Sequence, residues 1–154
     1  KYKVIPVYNQ NNIIIDGKIN CRIITLLKLF IRLKLMNKKG VLVKDANILL
    51  LGITFKENCP DIRNTKIVDI YTTLSEYTNN ITIYDPWADK AEVQHEYQIE
   101  ITNTLDTTKK YDAIILGVAH KEFLEIDIPS LLNENGVVYD VKGILDRTII
   151  DGRL

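Results

Sequence analysis

Three cations stand where this chain could bind an anion. Lys56 and Arg63 share one loop, and Lys142 follows a later apolar run. Lys56 offers a mobile point charge, and Arg63 a planar fork suited to bidentate contact with phosphate. Phe55, beside Lys56, is either an aromatic face for a base or sugar or a core side chain closing a strand. Residues 55–63 hold an aromatic, two cations and a proline within nine positions. That composition suits an anion such as a diphosphate. The alternative is a surface loop whose Lys56, Asp61 and Arg63 pair with one another. The loop is no dinucleotide fingerprint: G-x-G-x-x-G needs glycines so that backbone amides approach a pyrophosphate. Here Gly52 stands alone and the next eleven residues contain no glycine. Phosphate contacts must therefore come from side chains.

Other reactive residues have plainer readings. Cys59 lies near Lys56 and Arg63, but no histidine adjoins it, so a bystander thiol is the simpler reading. His120 follows an apolar run and either touches a ligand or packs a loop. His95 reads as a solvated helix face. Asp85 ends a strand where dinucleotide folds place a ribose-binding acid, a role that lacks its glycine partner here. Trp87 is expected to pack under a loop. No metal site, no Ser/His/Asp set and no paired carboxylates emerge, so no catalytic residue is assigned.

The elements that position these residues alternate between strand and helix. Residues 47–54, 81–85, 112–118 and 137–141 read as strands, with a short edge strand at 99–101 and a short strand or turn at the tail. Residues 112–118 form a continuous apolar run, the mark of a strand buried on both faces. A helix beginning near Thr65 places Ile67, Ile70, Tyr71, Leu74 and Tyr77 on one face, capped by Asn64 or Thr65. Residues 88–97 form a second helix, and residues 121–134 one or two short helices broken at Pro129. Residues 19–38 read as one long helix stopped at Lys38-Lys39-Gly40. It is apolar on more than one face, which suggests a second subunit or another domain beside it. Residues 1–18 read as irregular. The fold class is α/β: a doubly wound, mainly parallel sheet of order 3-2-1-4-5 with helices on both faces, preceded by the long helix. The switch point lies between the strands at 47–54 and 112–118, where the loops bearing Lys56, His120 and Lys142 meet.

The totals narrow the function. Lys plus Arg equals Asp plus Glu at 20 each, which argues against nucleic-acid or membrane-surface partners. Apolar residues make up 46%, enough for a globular core. Cys21 and Cys59 show no metal-like spacing and suit a reducing, cytoplasmic setting. No signal peptide opens the chain, and the apolar-rich stretch at 23–35 is too short and charged to span a bilayer.

Four stretches, taken in order, resemble a known family. They are residues 52–66, Tyr84-Asp85-Pro86-Trp87-Ala88-Asp89, Val118-Ala119-His120-Lys121-Glu122-Phe123 and Tyr139-Asp140-Val141-Lys142-Gly143. Together they resemble the C-terminal domain of the UDP-glucose/GDP-mannose dehydrogenase family. They look most like the branch that oxidises UDP-N-acetylhexosamines for capsule, O-antigen or Vi-type polysaccharides. The resemblance covers roughly residues 34–154. It implies a Rossmann-like UDP-sugar-binding domain at 41–154, preceded by a remnant of the central dimerisation helix at 19–40. It implies that Phe55, Lys56 and Lys142 face the UDP-sugar, and that Arg63 reaches the NAD side of the cleft. In that family NAD is bound mainly by an N-terminal domain, and two hydride transfers take a C6 alcohol to a carboxylate through a cysteine thioester. This sequence holds neither the glycine fingerprint nor the Gly-rich catalytic cysteine motif, and Cys59 is not its counterpart. Gly17-Lys18-Ile19-Asn20 matches the family's G-R-x-I-N-D only loosely.

The leading expectation is thus the UDP-sugar-binding part of an NAD-dependent UDP-sugar 6-dehydrogenase, inactive alone and homodimeric through residues 19–40. Two other readings stand beside it. One is a nucleotide-sugar-binding or dimerisation module that works without catalysis. The other is a structural α/β domain with an empty cleft, in which Lys56 contributes only surface charge.

Overall fold

The apolar run Ile48-Leu49-Leu50-Leu51 forms β1 (Ile48–Leu51), and all four side chains are buried. In the computed structural model, which describes residues 36–153, β1 is an interior strand of a five-stranded sheet. It pairs in parallel with β2 (Ile81–Tyr84) on one side and β3 (Tyr111–Leu116) on the other. β4 (Leu132–Asp140) pairs with β3, and β5 (Gly152–Arg153) with β4, giving the order β2-β1-β3-β4-β5. Every pairing is parallel, and the fold is Rossmann-like. Strand alternation divides β1 between two cores. Ile48 and Leu50 pack with Ile83, Ala113 and Ile115 on one face. Leu49 and Leu51 pack with Ile114, Leu116 and Val138 on the other.

The first face is covered by helices. α1 (Ile67–Ser75) buries Ile67, Ile70 and Leu74, and α2 (Lys90–Tyr97) buries Val93. Each such aliphatic side chain contributes about 1.5–3 kcal/mol by leaving water. The Asp89 carboxylate caps α2 by accepting from the Glu92 N–H at 2.9 Å. Thr65 prepares the start of α1: its hydroxyl accepts from the Ile67 N–H and donates to the Thr54 carbonyl, both at 3.3 Å. Residues 36–38 are helical and stop as expected, with Gly40 left-handed at φ +76° and the Val41 N–H returning to the Met36 carbonyl.

Several expectations are corrected. The second face carries no regular helix among the described residues. Phe123, Ile128, Leu131 and Leu145 cover it from 3-10 turns and the C-terminal segment. Among the described residues, regular helices therefore lie on one face only. The edge strand expected at 99–101 reduces to a single bridge between Tyr84 and Thr102, because Thr102 is the one residue there that meets β2. The strand expected at 137 starts at Leu132, pairs with Tyr111, and reaches regular register only at Val137 opposite Ala113. The tail forms β5. Tyr77 lies beyond the end of α1 and is 47% exposed, so it leaves the apolar face. The irregular segment expected at 1–18 and the helix expected at 19–38, up to residue 35, lie outside the described residues.

β1 ends three residues before the expected Thr54, for a backbone reason. Gly52 takes φ +91°, and a Cβ there would lie 2.5 Å from the Val118 Cβ. Gly52 turns the chain out of the sheet while passing directly over the β3 loop. Gly52→Ala is expected to combine left-handed strain with that clash, lowering stability by about 2–4 kcal/mol in urea unfolding followed by circular dichroism.

Candidate functional site

The loops that follow β1, β2, β3 and β4 gather at the carboxyl edge of the sheet. Their common anchor is Asp85, the residue after β2, which is fully buried. Its Oδ2 accepts from the Ile53 N–H at 2.7 Å and the Thr54 N–H at 3.1 Å. Its Oδ1 accepts from the Trp87 N–H at 2.8 Å and the Ala88 N–H at 3.0 Å. His120 of the β3 loop, also fully buried, brings Nε2 within 3.2 Å of Oδ2. Burial by itself would raise the Asp85 pKa. The hydrogen bonds from His120, Ile53 and Trp87 outweigh it and hold the carboxyl below its ordinary 3.8. Both oxygens are spent on the protein's own donors, so Asp85 is not a ribose-binding acid.

His120 completes the junction. Its Nδ1 accepts from the Asn58 N–H at 2.9 Å, which places the imidazole proton on Nε2. Nε2 faces both Asp85 Oδ2 and Thr54 Oγ1, the latter at 3.0 Å. Thr54 Oγ1 in turn donates to the Lys56 carbonyl at 3.1 Å. Trp87 stacks on the imidazole at 6.3 Å and Phe123 meets it edge-on at 5.1 Å. The Trp87 indole N–H donates to Glu122 at 3.2 Å, so Trp87 packs under the loop as expected. Of the two readings for His120, loop packing is the one observed. His95 is exposed on α2, and Cys59 is a free, half-buried thiol.

The loop after β1 has a fixed path. The Phe55 N–H donates to the Asp61 carbonyl at 2.7 Å, closing its base. Ile62 is buried as a plug, and its carbonyl accepts from the Tyr97 hydroxyl at 2.7 Å. Asn58 and Asn64 take the left-handed conformation at φ 51° and 58°, which asparagine tolerates better than most residues. On this frame Phe55 is 56% exposed and Lys56 is exposed. Phe55 is therefore not a core side chain at the strand end. Arg63 is exposed and already forked onto Asp61, with Nε to Oδ1 at 2.9 Å and Nη2 to Oδ2 at 2.8 Å. The pairing alternative for this loop thus holds for Asp61 and Arg63. Lys142 is exposed at the start of the β4 loop. Its backbone N–H, with those of Gly143 and Leu145, donates to the buried Asp140 carboxylate at 2.7–2.9 Å.

Sequence reasoning missed Asp140, and it set aside a ribose-binding role for Asp85 without finding the internal one. The available signal was turn chemistry: an aspartate ending an apolar strand accepts backbone N–H groups of the turn that follows. Two concavities lie elsewhere, one bounded by Leu42, Asp112 and Asn133 and the other by Thr82, Asp106 and Lys109, so concavity alone does not mark this edge. Among the described residues, no group of three His, Cys, Asp or Glu could hold a metal ion, and no helix is long and apolar enough to cross a membrane.

Two outcomes follow from this geometry. Asp61 is held at about 2, chiefly by the Arg63 side chain, so its carboxyl carbon should titrate there by NMR and return toward 3.8 in Arg63→Ala. Asp85→Asn turns an amide toward donors that need an acceptor, and should cost about 3 kcal/mol at pH 7. Because the native Asp85 pKa is depressed, its stabilisation is present above 3.8 and is lost as pH falls through the native value. The gap between wild type and Asp85→Asn in urea midpoints should therefore narrow below about pH 4.

Comparison with known proteins agrees with this fold. A family model described as "UDP-glucose/GDP-mannose dehydrogenase family, UDP binding domain" matches residues 49–147, which contain all four strand-end loops. UDP-N-acetyl-D-glucosamine 6-dehydrogenase of Salmonella typhi is 42% identical over 125 residues, covering 79% of this chain and 29% of that protein. The Pseudomonas aeruginosa protein of the same name is 44% identical over 124 residues, with the same coverage. In fold, the chain is similar to the NDP-N-acetyl-D-galactosaminuronic acid dehydrogenase from Methanosarcina mazei Go1. The TM-score is 0.70 at 15% identity, covering 83% of this chain and 27% of the other. The chain spans less than a third of the length of these two relatives. The family match, spanning β1 to β4 except for Ile48, together with the loops that Asp85 and Asp140 tie down, shows that this chain belongs to the UDP-glucose/GDP-mannose dehydrogenase family and contains its UDP-binding domain.

Proposed function

We propose that this chain is the nucleotide-sugar-binding part of an NAD-dependent UDP-sugar 6-dehydrogenase that acts on a UDP-N-acetylhexosamine and serves surface polysaccharide synthesis in the cytoplasm. The observation that carries the reading is the exposed Phe55-Lys56 pair on a loop whose backbone is tied to buried Asp85 and His120 at the switch point. An exposed aromatic beside a cation on a fixed backbone suits a ligand with a flat ring and a diphosphate. In this reading Lys56 and Lys142 answer the phosphates and Phe55 lies against the base or sugar. The identity to two UDP-N-acetyl-D-glucosamine 6-dehydrogenases supports the choice of sugar.

A dinucleotide does not fit this sheet's own switch point. Gly52 is the lone glycine of its loop, and the Asp85 carboxylate is consumed internally. NAD is therefore assigned mainly to another domain of the whole enzyme. Arg63 would meet it from the rim, after yielding at least part of its fork from Asp61. Oxidation of the C6 alcohol to a carboxylate belongs to that whole enzyme, and the isolated chain is not expected to turn over substrate. Residues 19–40 are proposed as its dimer contact.

Titration of the purified chain with UDP, UDP-N-acetylglucosamine and NAD, followed by amide NMR shifts, tests the proposal. We expect shifts at Phe55, Lys56 and Lys142 with the UDP compounds, at affinities on the order of millimolar, about −4 kcal/mol. Lys56→Ala should weaken them about tenfold. NAD alone should move few signals. No response to millimolar UDP would remove nucleotide-sugar binding from this chain.

A further inference from the structure

His120 is buried, polar and central to the edge, yet it touches no surface on which a ligand could sit. It joins three separate segments. Nδ1 holds the Asn58 amide of the β1 loop, and Nε2 lies between Thr54 and the Asp85 carboxylate that ends β2. The segment between the two β1-loop contacts is residues 54–58, which contains Phe55 and Lys56. A second bond fastens the same corner, from the Lys121 N–H to Asn58 Oδ1 at 3.1 Å. Asn58 holds a left-handed φ of 51°, so the corner is not its backbone's preferred path and needs outside support.

Each contact requires one protonation state. An amide N–H can donate only to an unprotonated Nδ1, and Asp85 Oδ2 accepts a hydrogen bond only from a protonated Nε2. The neutral Nε2–H form satisfies both. A residue with one acceptor and one donor about 2.2 Å apart can bridge them, and a side-chain amide has the same pair. An apolar replacement would leave the Asn58 amide and one of the Asp85 bonds unmet.

We propose that His120 is a positioning residue: as the neutral Nε2–H imidazole, it clamps residues 54–58 against Asp85 and so sets the presentation of Phe55 and Lys56 to a nucleoside diphosphate it never touches. The affinity part of this proposal rests on the nucleotide-sugar reading above, whereas the clamp is testable without ligand.

Long-range 1H–15N spectra of the imidazoles in the intact chain at neutral pH test the clamp first. His120 should show Nδ1 unprotonated and Nε2 protonated, while exposed His95 averages its tautomers. A proton on His120 Nδ1 overturns the proposal. In His120→Ala the Asn58 amide should exchange with solvent about tenfold faster, while the Leu50 and Ile115 amides of the sheet keep their protection. His120→Gln should restore Asn58 to within about threefold. UDP is then the probe of the positioning role. His120→Ala should raise its dissociation constant about five- to tenfold with Lys56 intact, and His120→Gln should recover most of the loss. If wild type binds UDP and His120→Ala binds it equally well, the positioning role fails while the nucleotide-sugar reading stands. If wild type ignores UDP, the nucleotide-sugar reading fails and takes the positioning role with it.

Discussion

A buried carboxylate must find donors for both oxygens, and that requirement shapes the whole ligand edge. Asp85 is fully buried and meets it with four backbone N–H groups and an imidazole. The donors come from three loops on three adjacent strands. Leaving one of them unmatched costs more than any local rearrangement returns, so the three loops adopt one joint arrangement. The rest of the sheet is ordinary parallel packing around β1. The edge is distinctive because its loops are cross-linked by polar atoms that water does not reach.

Asp140 repeats the device one strand further on. It gathers the N–H groups of Lys142, Gly143 and Leu145 into a tight turn after β4. The two aspartates divide the work of the edge. Their buried carboxylates organise backbone, while Lys56 of the β1 loop and Lys142 of the β4 loop remain exposed. Such a division suits an anion site, because the charges that would answer a ligand are not consumed in holding the loops. Arg63 is the exception, since its guanidinium fork is engaged with Asp61 two residues away. The loop after β1 therefore presents one cation outward and keeps another in a local pair.

Much of the architecture was legible from pattern. The run 112–118 announced a strand buried on both faces, and the alternation of strands with helices announced a parallel sheet with β1 and β3 at its switch point. The neighbours of these strands came out as read. The errors fall where local pattern is silent. Whether residues 99–101 form a strand depends on how many of them meet β2, and the bridge there falls on Thr102, one residue beyond. Whether the second face carries helices depends on crossover geometry, and 3-10 turns with Phe123 and Leu131 sufficed to cover it. Tyr77 kept the helical period but came after the helix had ended.

The sequence by itself determined the class of fold, the family and the loops that meet at the edge. These follow from apolar periodicity and from motifs contiguous in the chain. Tertiary structure alone decided which distant segments the polar residues join. Asp85 and Ile53 lie 32 positions apart, and His120 and Asn58 lie 62 apart, so no local spacing announces that they bond. Phe55 could close a core or face a ligand until the path of its loop placed it in solvent. A hydrogen bond to a buried group is a property of where distant segments arrive together, and that arrival is set by packing of the whole sheet rather than by neighbours in sequence.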